Sequence, residues 1–303
     1  LKISGNKKMA NSEMLSKIEN GQGFIAALDQ SGGSTPKALA GYGIGEDSFS
    51  NDDEMFGLIH KMRSRIITSP SFGNGKVIGA ILFEKTMNGD AGGKPVPEAL
   101  WDRGVVPFLK VDKGLEDEAN GVQLMKPIPD LDDQCKHAVA KGVFGTKMRS
   151  VINKANAKGI AAVVAQQFDF GKQILSHGLV PIIEPEVNIK SDERAACDKI
   201  LLGELTKQLD ALADDQRVML KLSIPVEPNL YKSLIGHPKV IRLVALSGGY
   251  STEDACAELA KNEGMIASFS RGLLQDLRVS QSDEEFDAVL GGAIDQIYRA
   301  SIA

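Results

Sequence analysis

Histidine and cysteine are scarce in this 303-residue chain, at four and three copies. The histidines (His60, His137, His177, His237) are scattered, with no His-x-His or HExxH spacing, and the cysteines (Cys135, Cys197, Cys256) form no CxxC pair. A zinc centre therefore has no ligand set in the sequence, and the expected metal content is none. An odd number of widely spaced cysteines reads as reduced residues of an intracellular protein rather than a disulfide framework. No apolar stretch approaches the roughly 20 residues that span a bilayer, so no membrane partner is expected. Positive charge is not in excess: 35 Lys and Arg against 40 Asp and Glu leave a net −5. That balance argues against nonspecific nucleic-acid binding but leaves room for a local basic pocket holding a small anion.

The N-terminus lacks a starting methionine and an apolar signal core. Residues 1–8 read as an expression remnant or as the stub of a removed targeting peptide. Residues 1–22 are accordingly set apart as an N-terminal extension with a first helix, and 23–303 as one domain.

Eight apolar runs recur along the chain: Phe24–Asp29, Val77–Glu84, Val105–Asp112, Phe144–Arg149, Leu179–Glu186, Val218–Ser223, Val240–Ser247 and Met265–Ser270. Amphipathic helical patterns lie between them, at Asp52–Thr68, Asp133–Lys141, Asn153–His177, Asp192–Leu212 and Ser251–Lys261. Strands alternating with helices imply a parallel sheet, and eight units in about 250 residues match a closed (β/α)8 TIM barrel, an α/β fold in a single domain. The rival, an open doubly wound sheet, would be expected to carry a Gly-rich phosphate loop after the first strand; no G-x-G-x-x-G or Walker pattern occurs. The Gly- and Pro-rich stretch Met87–Trp101 reads as a mobile loop at a barrel mouth.

Polar residues fall on one side of these runs. Asp29, Glu84, Lys110 with Asp112, Lys147 with Arg149, Glu184 with Glu186, Lys221, Ser247, and Ser268 with Arg271 all stand at or near C-terminal ends. That is the face where barrel enzymes build their sites. Strand residues two apart share a face, so Lys110 pairs with Asp112, Lys147 with Arg149 and Glu184 with Glu186. If those faces point into the mouth, Lys110, Lys147 and Lys221 converge with Asp29, Glu184 and Glu186. Lys221 stands out because it interrupts the otherwise apolar run Val218–Ile224. A lysine stripped of water near other cations is a nucleophile toward carbonyl carbon, whereas the bland reading is a strand-end lysine that snorkels to solvent or pairs with a carboxylate.

Two segments read as anion grips. Leu246-Ser247-Gly248-Gly249 precedes a helix start, and Ser268-Phe269-Ser270-Arg271 places a guanidinium after the eighth run. Phosphate sites in barrels are often built from the loops after the last two strands. Asp29-Gln30-Ser31-Gly32-Gly33-Ser34 is a second polar, Gly-rich turn that could hold a second phosphate.

With these residues assembled, the chain resembles the class I fructose-1,6-bisphosphate aldolases, especially the short bacterial form. The likeness rests on Ala27–Ser34, Phe108–Gly114, Phe144–Arg149, Val180–Glu186, Leu220-Lys221, Leu246–Gly249 and Ser268–Arg271. It implies metal-independent, cofactor-free retro-aldol cleavage of fructose 1,6-bisphosphate to dihydroxyacetone phosphate and glyceraldehyde 3-phosphate. By resemblance, Lys221 forms the Schiff base, Glu184 with Glu186 beside it serves as acid/base, and Asp29 takes the hydroxyl proton. Lys147 stabilises developing charge, while Lys110 and Arg149 bind or orient substrate. Ser247, Gly248, Gly249, Ser268 and Arg271 grip one phosphate; Ser31 and Ser34 lie toward the other.

In longer relatives a basic residue follows the first Ser-rich turn where this chain has Ala38, which leaves Lys37 as the alternative. Those relatives also end in a catalytic tyrosine, for which Tyr298 is only a distant substitute. The resemblance further implies a homo-oligomer (dimer or tetramer) acting on sugar phosphates in glycolysis and gluconeogenesis in the cytoplasm. A processed N-terminus would instead point to the plastid stroma and the Calvin cycle. Two other readings stand beside it: a Schiff-base aldolase for a different sugar phosphate, and a non-catalytic scaffold or binding barrel.

Overall fold

Aliphatic and β-branched runs buried on both faces form strands because their side chains pack on either side of a pleated sheet. In the computed structural model, which describes residues 2–303 with side chains from residue 11, the barrel strands are Phe24–Leu28, Val77–Leu82, Val106–Lys110, Gly145–Ile152, Val180–Val187, Val218–Ser223, Val240–Leu246 and Ile266–Ala267. The reading of residues 1–8 lies outside the described side chains. Each strand pairs in parallel with the next in chain order. The seam between the eighth and first strands is bridged by the Ala27 N–H donating to the Phe269 carbonyl at 3.4 Å. The result is the nearly closed (β/α)8 barrel that the alternation predicts.

Two buried clusters hold it together. One fills the lower barrel with Ile25, Ile78, Val106, Phe108, Ile182, Met219, Val244 and Ile266. Met14 and Ile18 of the N-terminal helix Lys2–Asn20 belong to the same cluster. The other lies between the sheet and the helix ring, where Leu39, Ile59, Ile66, Val163, Phe168, Leu201, Leu205, Leu290 and Ile294 are buried. Each large apolar side chain so placed contributes about 1.5–3 kcal/mol. Strand parity then leads directly to the site. Phe108, Ile182 and Met219 occupy the lower barrel, and two residues on, Lys110, Glu184 and Lys221 emerge at its mouth. Gly145 stands two residues before Lys147 and has no room for a side chain: a Cβ would lie 2.2 Å from the Val180 carbonyl oxygen and 2.9 Å from the Phe108 ring.

Several expected boundaries shift for local reasons. The second strand stops at Leu82, and Glu84 opens the short helix Glu84–Met87 instead of facing the mouth. The fourth strand runs on to Ile152 because Val122–Gln123 pairs antiparallel with its extension. The helix expected from Asn153 starts at Ala157, where the Asn156 side chain caps it by accepting the Gly159 N–H at 3.0 Å. Met87–Trp101 is not an open loop. It folds as a two-residue hairpin (Asp90–Ala91 with Lys94–Pro95) and the helix Val96–Trp101, anchored by buried Met87, Val96 and Leu100. No helix among the described residues is long and apolar enough to cross a membrane.

Candidate active site

The mouth encloses a cavity of about 750 Å³. Its lining includes every site residue expected from the sequence: Asp29, Ser31, Ser34, Lys110, Lys147, Arg149, Glu184, Glu186, Lys221, Ser247, Gly248, Gly249, Ser268 and Arg271. Glu84 is absent from it, and so is Tyr298, which sits on the helix Asp283–Ser301 with the Lys76 ammonium 5.9 Å from its ring centre. Lys76 directly precedes the second strand, so Tyr298 lies at the opposite end of the barrel and is no substitute for a catalytic tyrosine.

Lys147 is the hub. Its Nζ lies 2.6 Å from Asp29 Oδ2, 3.1 Å from Glu184 Oε2 and 3.9 Å from Asp112 Oδ2. Burial works against its charge, but the Asp29, Glu184 and Asp112 carboxylates outweigh burial and hold its pKa above the ordinary lysine value. Lys147 is thus fixed as an ammonium. Lys221, equally buried, has one carboxylate in reach, Glu184 Oε1 at 3.0 Å. Glu184 therefore bridges the two lysines. Its Oε2 makes the ion pair with Lys147 but accepts no hydrogen bond among the described residues.

A buried polar layer sets this carboxylate in place. The Glu184 N–H donates to Gln167 Oε1 at 2.8 Å, and Gln167 Nε2 donates to Ser150 Oγ at 3.0 Å. Burial would raise the pKa of Asp29, yet Lys147, Lys221 and Lys110 hold it well below the carboxylate range. Glu186 shifts the other way: burial raises it, Arg149 opposes the rise, and the Glu184 charge adds to it. The Arg149–Glu186 pair spans 3.0 Å. Lys110 pairs with Asp112 Oδ1 at 2.9 Å, as their shared strand face requires.

Lys110, Lys147, Arg149 and Lys221 match Asp29, Asp112, Glu184 and Glu186 in number, so the inner mouth is near charge balance. Two further cations, Arg271 and Lys37, line the rim. Ser268 is buried with a hydroxyl that has no partner among the described residues, and Arg271, also in the lining, is exposed. Gly248 and Gly249 adopt φ of 58° and 116°, open to glycine at little cost, and a Cβ on Gly248 would meet Ile189 at 2.6 Å. On the other side Ser34 Oγ donates to the Ser31 carbonyl at 2.9 Å, which spends that hydroxyl on its own turn, and exposed Lys37 stands beside it. Among the described residues no group of three or more His, Cys, Asp or Glu could hold a metal ion.

Asp112 was read from the sequence as sharing a strand face with Lys110 but was given no role, and two supporting residues, Arg63 and Gln30, escaped the sequence reading. Arg63 lies on the apolar stripe of the helix Asp52–Thr68, four residues after Ile59, and helical periodicity alone marked it as a core-facing cation. Gln30 carried no signal beyond its place next to Asp29.

The structure is similar to a fructose-bisphosphate aldolase from Plasmodium falciparum, at 19% identity and TM-score 0.74, covering 98% of this chain and 95% of that one. At that identity the likeness speaks for the fold. A Corynebacterium glutamicum protein aligns more loosely, at 12% identity and TM-score 0.48 over 96% of this chain and 92% of that one. The family model for fructose-bisphosphate aldolase class-I matches residues 10–232. That span holds Asp29, Lys110, Lys147, Glu184 and Lys221, and it ends before the two glycine- and serine-rich loops of the rim. A match over most of the barrel, including its buried lysines and carboxylates, settles kinship: the chain belongs to the class-I fructose-bisphosphate aldolases.

Proposed function

We propose that Lys221 is the Schiff-base residue through which this chain cleaves fructose 1,6-bisphosphate, with Glu184, Asp29 and Lys147 as its catalytic partners. One observation carries the assignment. Of the two buried lysines at the mouth, Lys147 is neutralised by three carboxylates, whereas Lys221 has one. Lys221 is therefore the amine left to attack.

The amine adds to the ketone carbon of the open-chain sugar to give a carbinolamine. Glu184 donates a proton to the departing hydroxyl, water leaves, and the iminium forms. Asp29 removes the proton from the hydroxyl on the carbon beyond the scissile bond. The carbonyl of glyceraldehyde 3-phosphate forms as that bond breaks, and its electron pair flows to the iminium nitrogen to give an enamine. Protonation of the enamine carbon and hydrolysis release dihydroxyacetone phosphate and restore the amine. Lys147 keeps a positive charge beside the oxygens on which negative charge develops, and Lys110 and Arg149 orient the sugar. Glu186, with its raised pKa, is the second carboxyl in the proton path.

Ser247, Gly248, Gly249, Ser268 and Arg271 grip one phosphate, and Ser31, Ser34 and Lys37 face the other. The division of the chain at residue 23, a homo-oligomeric dimer or tetramer, metal-free catalysis and a cytoplasmic location in glycolysis belong to the same proposal. The test is borohydride reduction in the presence of dihydroxyacetone phosphate, followed by peptide mapping. The adduct is expected on Lys221 and is lost in Lys221→Met; an adduct elsewhere in an active enzyme overturns the assignment.

A further inference from the structure

The fifth and sixth strands, which carry Glu184 and Lys221, separate at those two residues. Their ladder consists of Ile182 beside Met219 and Ile183 beside Leu220, and it stops there. On its other side each strand stays paired to its last residue. The fifth runs with the fourth as far as Val187 beside Ile152, and the sixth with the seventh as far as Ser223 beside Leu246. The sheet therefore forks between these two strands, at the level where Lys221 Nζ meets Glu184 Oε1 at 3.0 Å.

A proline is the local cause. Along a parallel strand the backbone groups of alternate residues turn to opposite neighbours. The Val180 N–H donates to the Phe144 carbonyl, next to the fourth strand, at 3.2 Å. Even-numbered residues of the fifth strand thus turn to the fourth, and odd-numbered ones turn to the sixth. After Ile183 the next residue turned to the sixth strand is Pro185, which has no N–H to give. The ladder ends for want of a donor. Beyond the gap two buried side chains take over. Ser223 Oγ donates to the Val187 carbonyl at 2.6 Å. Arg194, at the start of the helix after the fifth strand, donates to the Ile224 carbonyl just past the sixth.

Hydrogen-bonded strands lie about 4.8 Å apart, and a continuous ladder would hold the amine-bearing and carboxyl-bearing strands at that spacing. We propose that Pro185 and Ser223 are positioning residues: Pro185 opens the fork and Ser223 ties its far end, so that Lys221 and Glu184 bracket the ketone carbon without their strands closing on it. The inference rests on the reading of Lys221 as the Schiff-base amine and Glu184 as its proton donor. The Lys221 nitrogen forms the bond to carbon, and the hydroxyl takes its proton from Glu184 and leaves as water. Neither Pro185 nor Ser223 exchanges a proton with the sugar; they act through the two strands.

The experiment follows borohydride trapping of the dihydroxyacetone phosphate adduct with time, alongside kcat and KM for fructose 1,6-bisphosphate. The proteins compared are the parent, Ser223→Ala, Ser223→Thr and Pro185→Val, with circular dichroism and thermal melts to report folding. Ser223→Ala is expected to trap about ten-fold more slowly and to lose kcat by the same factor with KM little changed, since a displacement of about 1 Å at reacting groups can cost about 100-fold. Ser223→Thr keeps the hydroxyl and restores most of the rate. Pro185→Val supplies the missing donor and a strand-forming side chain, so the ladder can close. Slower trapping is expected there at an unchanged or higher melting temperature, a separation of rate from stability that a merely structural role does not give. Trapping on Lys221 at the parent rate in both Ser223→Ala and Pro185→Val overturns the positioning role and leaves the Schiff-base reading standing. Slowing that only follows a lowered melting temperature, with no rescue by threonine, overturns it as well. An adduct away from Lys221 in the parent overturns the Schiff-base reading and this inference with it.

Discussion

Asp29 couples stability to chemistry. Its carboxylate is held ionised by Lys147, Lys221 and Lys110 against the effect of burial. Its folded pKa lies below the unfolded value of about 3.9. The stabilisation it provides is therefore fully present above that value and drains away as pH falls toward the folded pKa. Asp29→Asn is expected to lower unfolding free energy at pH 7 by about 2 kcal/mol, because Lys147 keeps Glu184 and Asp112 but loses its shortest bond. Urea titrations at pH 7 and pH 3 check this: the gap between parent and variant should narrow in acid, and a constant gap would refute the account. Lys221 was legible in the sequence because an ammonium inside an apolar run is expensive and so conspicuous. Arg63 was harder to read, because its helix is rich in cations, with Lys61 and Arg65 as neighbours, and only its spacing four residues after Ile59 marks it as the one that turns inward.

The strands were legible wherever period and burial agree, as in Val218–Ser223, whose ends match the expected ones. They were misread where a partner far away in sequence decides the end. Val122–Gln123 lengthens the fourth strand, and the hairpin at Asp90–Pro95 folds what composition marks as loose. The C-terminal helix Asp283–Ser301 braces the weakest part of the barrel. The Ala267 N–H of the two-residue eighth strand donates to Ser301 Oγ at 3.0 Å, and Asp287 accepts from Ser69, and from Ser71 at 2.7 Å, beside the second strand. The helix begins with a full capping box between Ser282 and Glu285. Ser282→Ala should cost about 1 kcal/mol, read as a lower urea midpoint with unchanged slope. Catalysis should survive, since the cap lies outside the mouth; an unaltered midpoint would mean that the box contributes nothing.

Across the molecule, charge is sorted by depth. A near-neutral set of lysines, arginine and carboxylates lies inside, and Arg271 and Lys37 stand exposed at the rim. In the proposed mechanism the electron sink is an iminium on the protein, which calls for no metal. Activity after EDTA treatment and gel filtration should equal that of untreated enzyme, and a loss restored by a divalent cation would refute metal-free cleavage. The amino-acid sequence by itself determined the eight-unit alternation, the side of the barrel that carries chemistry, and which polar residues share a strand face. Those follow from a period of two and from the cost of placing charge in apolar runs. Only the tertiary structure decided that Lys147 is the hub while Lys221 keeps a single partner, and that Arg63 donates to Gln30, which in turn donates to Ser270. Those relations join strands and helices up to 240 positions apart, and their distances exist only once the barrel has closed.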